Sequence, residues 1–252
     1  MDENYNFNAE EQTRGVTEWI RNWFEVDSGG AEGVIVGISG GCDSMVTAAL
    51  CCKAIGTDRV RGVLMPNEIQ PDISDSYRVC RFLGIEHYEI DIGGAYRGII
   101  GTMPGNFELA ETAKINIAPR LRMMALYAMA QTLNYRVAGT GNLSEKYVGY
   151  FTKWGDAAHD FNPIANFTKT EVKQIGDCLG LPHELVSKAP ADGLSGVSDE
   201  ENMKITYAVL DDFIRTKSYD EKDGEVKEMI DRITKMHKNA RHKINSVPCY
   251  IY

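Results

Sequence analysis

Residues 33–50 place the tightest constraint on how this chain can fold. An apolar run, Val34-Ile35-Val36, leads into Gly37-Ile38-Ser39-Gly40-Gly41-Cys42-Asp43-Ser44, and Met45-Val46-Thr47-Ala48-Ala49-Leu50 follows without a break. This is the pattern of a buried strand whose C-terminal end turns through glycine straight into a helix. Such a turn aims backbone N–H groups and the positive end of the helix dipole at one point, which suits a phosphate. Gly40 and Gly41 can take positive φ and let an anion approach the backbone. Ser39 and Ser44 add hydroxyl donors. Asp43 is out of character in an anion cradle, because a bare carboxylate repels phosphate; an intervening Mg²⁺ removes that conflict. The turn therefore points to metal-bound pyrophosphate. The bland alternative is a ligand-free turn. It must explain why two glycines, two serines and an aspartate coincide at a strand end, where open α/β sheets bind ligands.

The turn is not an ordinary P-loop, since Gly-x-x-x-x-Gly-Lys-[Ser/Thr] is absent, and Gly-x-Gly-x-x-Gly does not follow the strand. Ser-Gly-Gly-x-Asp-Ser instead resembles the signature of the N-type ATP pyrophosphatases, which split ATP between its α and β phosphates and adenylylate a substrate oxygen.

Elsewhere, short apolar runs alternate with amphipathic stretches. Val16, Trp19, Ile20, Trp23 and Phe24 have helical spacing and predict a leading helix over 10–26. Strands are expected at 33–38, 60–65, 86–91 and 135–139, with helices at 43–55, 72–83 and 108–133 between them. Asp72 is the expected N-cap of the helix at 73 and Gly84 its stop. This βαβα order implies a doubly wound parallel sheet with helices on both faces, an α/β fold. Residues 140–167 are glycine-rich and polar, and a loop of that length in a compact domain is usually functional. Helices are expected again at 168–180, 198–217 and 223–241, a C-terminal helical part of one domain spanning 1–252. Thr168 and Glu171 have capping-box spacing.

Composition narrows the class further. The 252 residues carry 43% hydrophobic and 25% charged side chains, ordinary for a globular protein. No apolar run is long enough to span a bilayer, so no membrane association is expected. The net charge of −9 argues against nucleic-acid binding, and an anionic substrate must meet a local cluster of cations. Six scattered cysteines form no Cys-x-x-Cys pair. With the acidic, polar N-terminus they fit a reducing cytoplasm.

Two further segments carry chemistry. Gly139-Thr140-Gly141-Asn142-Leu143-Ser144-Glu145 follows the fourth expected strand, which puts Glu145 in reach as a second metal ligand beside Asp43. Two carboxylates with phosphate oxygens and waters make a normal Mg²⁺ site; an exposed first-turn glutamate is the plain alternative. Phe151-Thr152-Lys153-Trp154-Gly155-Asp156-Ala157-Ala158-His159-Asp160 mixes aromatics, a cation and carboxylates in a glycine-flanked loop suited to stacking on a ring and orienting it.

In order, these three segments resemble the ammonia-dependent NAD synthetases. Gly62-Val63-Leu64-Met65-Pro66, Asn116-Ile117-Ala118-Pro119-Arg120-Leu121-Arg122-Met123, Lys169, Lys188-Ala189-Pro190, Asp199-Glu200-Glu201, Tyr207 and Arg241-His242-Lys243 match in register, so the resemblance covers residues 15–248. It implies a Rossmann-like fold of the adenine nucleotide alpha hydrolase type. The activity it implies is attack of the nicotinate carboxylate of deamido-NAD on the α-phosphorus of ATP, then displacement of AMP by ammonia. Gly37, Ile38, Ser39, Gly40, Gly41, Cys42, Asp43 and Ser44 are implied at the ATP phosphates, with Thr140, Lys169 and Ala191 also contacting ATP. Asp43 and Glu145 are implied as Mg²⁺ ligands. Arg120, Lys153, Asp160, His242 and Lys243 are implied at deamido-NAD. Asp43, Lys153 and Asp160 form the catalytic set, with Asp160 or solvent taking the proton released from ammonium. The resemblance also implies a homodimer, for which Trp19, Trp23 and the 108–133 helix are candidates; the other reading of that apolar stripe is monomer core. Nothing resembles a glutaminase domain, so free ammonia is the expected nitrogen donor, and a separate glutaminase subunit stays compatible with the sequence.

Some positions depart from the family pattern. Ala191 stands where a hydroxyl is usual, and Ser187 is a candidate substitute. Ala157 and Ala158 replace two glycines, restricting that loop. Pro119 is expected to break or kink its helix. Cys42 is open to two readings, a thiol activated at a helix N-terminus or a packed filler. The alternatives to the leading reading are another ATP pyrophosphatase, such as one resembling GMP synthetase, and a nucleotide-binding protein without catalysis.

Overall fold

The computed structural model describes residues 5–188 and 198–250. Four strands, β1 (Gly33–Gly37), β2 (Val60–Leu64), β3 (Glu86–Glu89) and β4 (Tyr135–Ala138), pair in parallel in the order β3-β2-β1-β4. Helix α1 (Ala9–Val26) precedes β1, and α2 (Cys42–Ile55) with a 3-10 turn (Thr57–Arg59) joins β1 to β2. Helix α3 (Ile73–Leu83) joins β2 to β3, and α4 (Gly93–Gly101), α5 (Glu111–Ile115) and α6 (Ile117–Leu133) lie between β3 and β4. Beyond the sheet come α7 (Leu143–Val148), α8 (Lys169–Cys178), α9 (His183–Val186), α10 (Asp199–Met203), α11 (Tyr207–Thr216) and α12 (Gly224–Ile244).

This order positions the site. The chain steps outward from β1 to β2 to β3, then returns to place β4 on the other side of β1. The reversal leaves a crevice at the carboxyl ends of β1 and β4, the usual ligand site of an open α/β sheet. The turn after β1 and the segment after β4 meet there.

Alternation along β1 assigns the two faces. Val34 and Val36 pack with Ile20, Met45, Leu50, Val79 and Ile175 from α1, α2, α3 and α8. Ile35 turns the other way, with Val63, Leu121 and Ala130, under α6. Each fully buried Ile or Leu here contributes roughly 1.5–3 kcal/mol of transfer free energy. A third cluster, Val148, Met203, Ile205, Leu210, Ile230 and Ile233, holds α7 against α10, α11 and α12. Among the described residues no helix is long and apolar enough to cross a membrane.

The four strands and the doubly wound arrangement agree with the sequence. Several details differ. The helix expected over 108–133 stops at Ile115 and restarts at Ile117, with Asn116 between. Pro119 has no N–H to offer the Ile115 carbonyl, so it sits in the first turn of α6, where a donor is not needed. The helix expected over 198–217 breaks at Lys204, which takes the left-handed conformation at φ 53°. Asp72 precedes α3, but its carboxylate accepts from Lys188 Nζ and Gln70 Nε2 and makes no cap. Gly84 does end α3 at φ 65°, and Thr168 with Glu171 does form a capping box. Trp23 stacks on Phe161 at 4.5 Å between centroids and packs, half-buried, against the core. Trp19 remains half exposed.

Candidate active site

The glycine turn is held from within. Ser39 Oγ accepts from Gly41 N at 3.2 Å and lies 3.2 Å from Ser44 Oγ, which accepts from Ser39 N and donates to Gly41 O. Both hydroxyls therefore brace the turn. Gly40 alone of the two central glycines takes positive φ, at +82°, while Gly41 is extended and begins α2. A Cβ on Gly40 would lie 3.0 Å from Asp75 Cβ and Ser76 N, so α3 closes one side of the turn. Ile38 sends its side chain into the core and its N–H to Val63 O. Its contact with a nucleotide is thus restricted to its carbonyl. Cys42 is also buried, and burial, reinforced by Asp43, pushes its thiol up to about 12. Its burial favours the packed-filler reading over the activated thiol.

Asp43 and Glu145 converge, as the second segment predicted. Asn142 caps α7 and joins them: its Nδ2 donates to Asp43 Oδ1 at 3.2 Å, and its N–H donates to Glu145 Oε2 at 3.2 Å in a capping box. Lys169, 4% exposed at the start of α8, forms an ion pair with Asp43. Burial and then the Asp43 charge push the Glu145 carboxyl up to about 8, against the pull of Lys169. Burial alone would lower Lys169, but Asp43 and Glu145 more than offset it and hold the ammonium above its ordinary range. Tyr207 places its ring 5.6 Å from Lys169 Nζ and donates its hydroxyl to Asp199 Oδ2. The cluster is short of positive charge, and its donors are hard oxygens. Among the described residues no three ligands converge on one metal position. Asp43 and Glu145 by themselves offer hard carboxylate oxygens, the donor type that Mg²⁺ takes.

Asp211 of α11 is a residue the sequence did not single out. Its buried carboxylate accepts from Ser144 Oγ at 2.5 Å and Thr170 N at 2.8 Å, and Ser144 Oγ accepts from Lys169 N at 3.0 Å. One carboxylate thus ties the starts of α7 and α8, which carry Glu145 and Lys169, to the helical part. No local spacing signals it, because its partners lie 41 and 67 residues away.

The NAD synthase family profile matches residues 13–247. The chain belongs to the NAD synthase family. It is 38% identical over 240 residues to the NH(3)-dependent NAD(+) synthetase of Carboxydothermus hydrogenoformans, covering 94% of this chain and 95% of that one. It is 44% identical over 193 residues to the corresponding protein of Thermococcus sibiricus, covering 75% and 74%. Among solved structures it resembles the NMN synthetase of Francisella tularensis, at 35% identity and TM-score 0.87 over 98% of this chain and 100% of that one.

The remaining residues matched to the NAD synthase family pattern lie on α6, just after β4, in the 151–161 loop and at the end of α12. The loop runs beside β4, where Ala138 bridges Phe161 and Asp160 N donates to Val137 O. The Asp160 carboxylate accepts from Val137 N at 2.7 Å and Tyr127 Oη at 3.4 Å, so it first satisfies the free edge of the sheet. Arg120 donates to Lys153 O at 3.3 Å, and Lys153 Nζ reaches His242 O. Lys243 Nζ donates to Gly149 O and Phe151 O at 2.9 and 2.8 Å. Arg120, Lys153, His242 and Lys243 therefore stand together, the last three tying the loop to α12. Thr140 follows β4 at the crevice, half-buried. Ala157 and Ala158 do not take positive φ; Trp154 does, at 62°, so the two Cβ atoms leave the loop unstrained. Ser187 donates its hydroxyl to His183 O within its own turn. Ala191 lies outside the described residues.

Proposed function

We propose that this chain is an ammonia-dependent NAD synthetase acting as one catalytic unit. The observation that carries the reading is the convergence of Asp43, Glu145 and Lys169 on the glycine turn of an NAD synthase family chain. Residues 37–44 would receive the ATP phosphates, and Asp43 and Glu145 would hold a Mg²⁺ whose charge would offset that of the departing pyrophosphate. An oxygen of the nicotinate carboxylate forms a bond to the α-phosphorus as the bond to the β-phosphate bridging oxygen breaks, and that oxygen leaves with the electron pair. The nitrogen of ammonia then bonds to the activated carbonyl carbon. AMP leaves with the C–O electron pair, and the extra proton passes to solvent or to Asp160. Little covalent help is asked of the protein, whose work is positioning and charge stabilisation. Arg120, Lys153, His242 and Lys243 serve the anionic dinucleotide, Thr140 and Lys169 the ATP.

The proposal includes a homodimer, supported by the exposed Met124 and Trp19 on α6 and α1, and residence in the cytoplasm. Release of pyrophosphate and NAD from ATP, Mg²⁺, deamido-NAD and ammonium tests the activity. Turnover with xanthosine monophosphate in place of deamido-NAD would sink it.

One observation favours a second reading, the same two steps on nicotinate mononucleotide to give NMN: the similarity to the Francisella tularensis NMN synthetase extends over nearly the whole of both chains. The kcat/KM ratio for deamido-NAD against nicotinate mononucleotide separates the two readings, and the first requires a ratio well above one.

A further inference from the structure

Arg122 differs from the lysines of the site. Lys169 is paired with Asp43, Lys153 with the His242 carbonyl, and Lys243 with two carbonyls. Arg122 donates Nε to Met65 O at 3.0 Å, and among the described residues no further hydrogen bond or ion pair reaches its guanidinium. Both terminal nitrogens, with four N–H donors in a planar fork, are therefore unclaimed. Burial lowers the guanidinium below its usual range, and Asp156 opposes this only at a distance. A half-buried guanidinium with an unclaimed fork can receive an anion that arrives beside it.

Its location identifies the anion. Met65 directly follows β2, so the Arg122 bond is made at the carboxyl edge of the sheet. Met65 Cε lies 3.2 Å from where a Cβ on Gly37 would stand, and Leu126 Cδ1 lies 3.5 Å from it. Leu126 is four residues on from Arg122 and shares its face of α6. The guanidinium thus lies on the α6 face that covers the first residue of the glycine turn. Resting on the adenylylation proposed above, we infer that Arg122 binds substrate directly. Its free fork takes an anionic oxygen of the reacting pair, either the α-phosphate of ATP or the carboxylate that attacks it. Two anions must approach each other there, and a planar fork suits either one.

The test uses the full chain with Arg122→Met, which keeps the volume of the side chain, and Arg122→Lys, which keeps the charge and the bond to Met65 but loses the fork. Both are expected to fold with a Tm close to wild type, since the guanidinium is half-buried and makes one hydrogen bond, to Met65 O. Turnover is expected to fall about 100-fold in Arg122→Met and at least about tenfold in Arg122→Lys. A weaker Kd for ATP alone assigns the α-phosphate; an unchanged ATP Kd with a raised acceptor KM or lowered kcat assigns the carboxylate. Turnover within threefold of wild type in both variants overturns the inference. If Arg122→Met fails to fold, Arg122→Lys decides by the same tenfold criterion. Wild-type turnover in the same assay separates failure of this inference from failure of the reading beneath it.

Discussion

Replacing Glu145 by Gln should make the free protein more stable at alkaline pH while abolishing its activity. The carboxyl sits half-buried in the capping box of α7, close to Asp43. Its rise from 4.5 to about 8 is worth at most roughly 5 kcal/mol, at ~1.36 kcal/mol per unit. The sign follows from proton counting. Between these two values the unfolded chain has released the proton and the folded chain still holds it. The folded state therefore binds more protons, and stability falls as pH rises through that window. Between about pH 5 and 8.5 the wild type should lose about 4 kcal/mol that Glu145→Gln does not, because glutamine mimics the protonated acid at every pH. Urea unfolding of both proteins in metal-free buffer with a chelator measures the difference. A constant stability gap between the two proteins at both pH values would refute the reasoning, since it would mean that Glu145 titrates alike in the folded and unfolded chains. Added Mg²⁺ with ATP should narrow the gap for wild type only.

Three further outcomes follow from contacts at the same crevice. Asp211→Ala should cost roughly 2–4 kcal/mol in urea unfolding, because Ser144 Oγ and Thr170 N lose a buried charged acceptor, and kcat should fall with it; full activity would remove Asp211 from the support of Lys169. Gly139→Ala puts a Cβ 2.6 Å from the His159 ring and 2.9 Å from Asn162 Cβ. It should destabilise by about 1–3 kcal/mol, part of which His159→Ala in the same chain restores; a double-mutant cycle with no coupling contradicts that packing. Iodoacetamide near neutral pH should label the exposed Cys178 and Cys249 and leave the buried Cys42 intact, its thiol pushed up to about 12; mass-spectrometric detection of alkylated Cys42 in folded protein would contradict this.

The sheet was legible because its strands are short apolar runs bounded by turn residues, and β1 announces its own C-terminal end. The helices that went unseen are those with the weakest signals. Helix α4 carries Gly93, Gly94, Gly98 and Gly101, residues that read as loop. Helix α7 is only six residues long and depends on Asn142 at one end and on α12 packed against it. Asn116 and Lys204 interrupt helices for reasons of different visibility: Pro119 advertises the first, whereas a left-handed lysine has no signature in the sequence. In the site, Asp43 and Glu145 could be paired from the strand order alone. The role of Asp160 at the edge of β4 could not, because it depends on which strand is left unpaired. Arg122 and Asp211 likewise acquire meaning only through what surrounds them, a missing acceptor in one case and two distant donors in the other.

The central claim is that a nicotinate carboxylate attacks the α-phosphorus of ATP at the glycine turn, and isotope transfer tests it most directly. Deamido-NAD carrying ¹⁸O in its carboxylate is turned over with ATP, Mg²⁺ and ammonium, and the products are weighed by mass spectrometry. The account predicts one ¹⁸O in AMP, none in pyrophosphate, and NAD with the other label in its amide. AMP free of label, or label in a released phosphate, would contradict it.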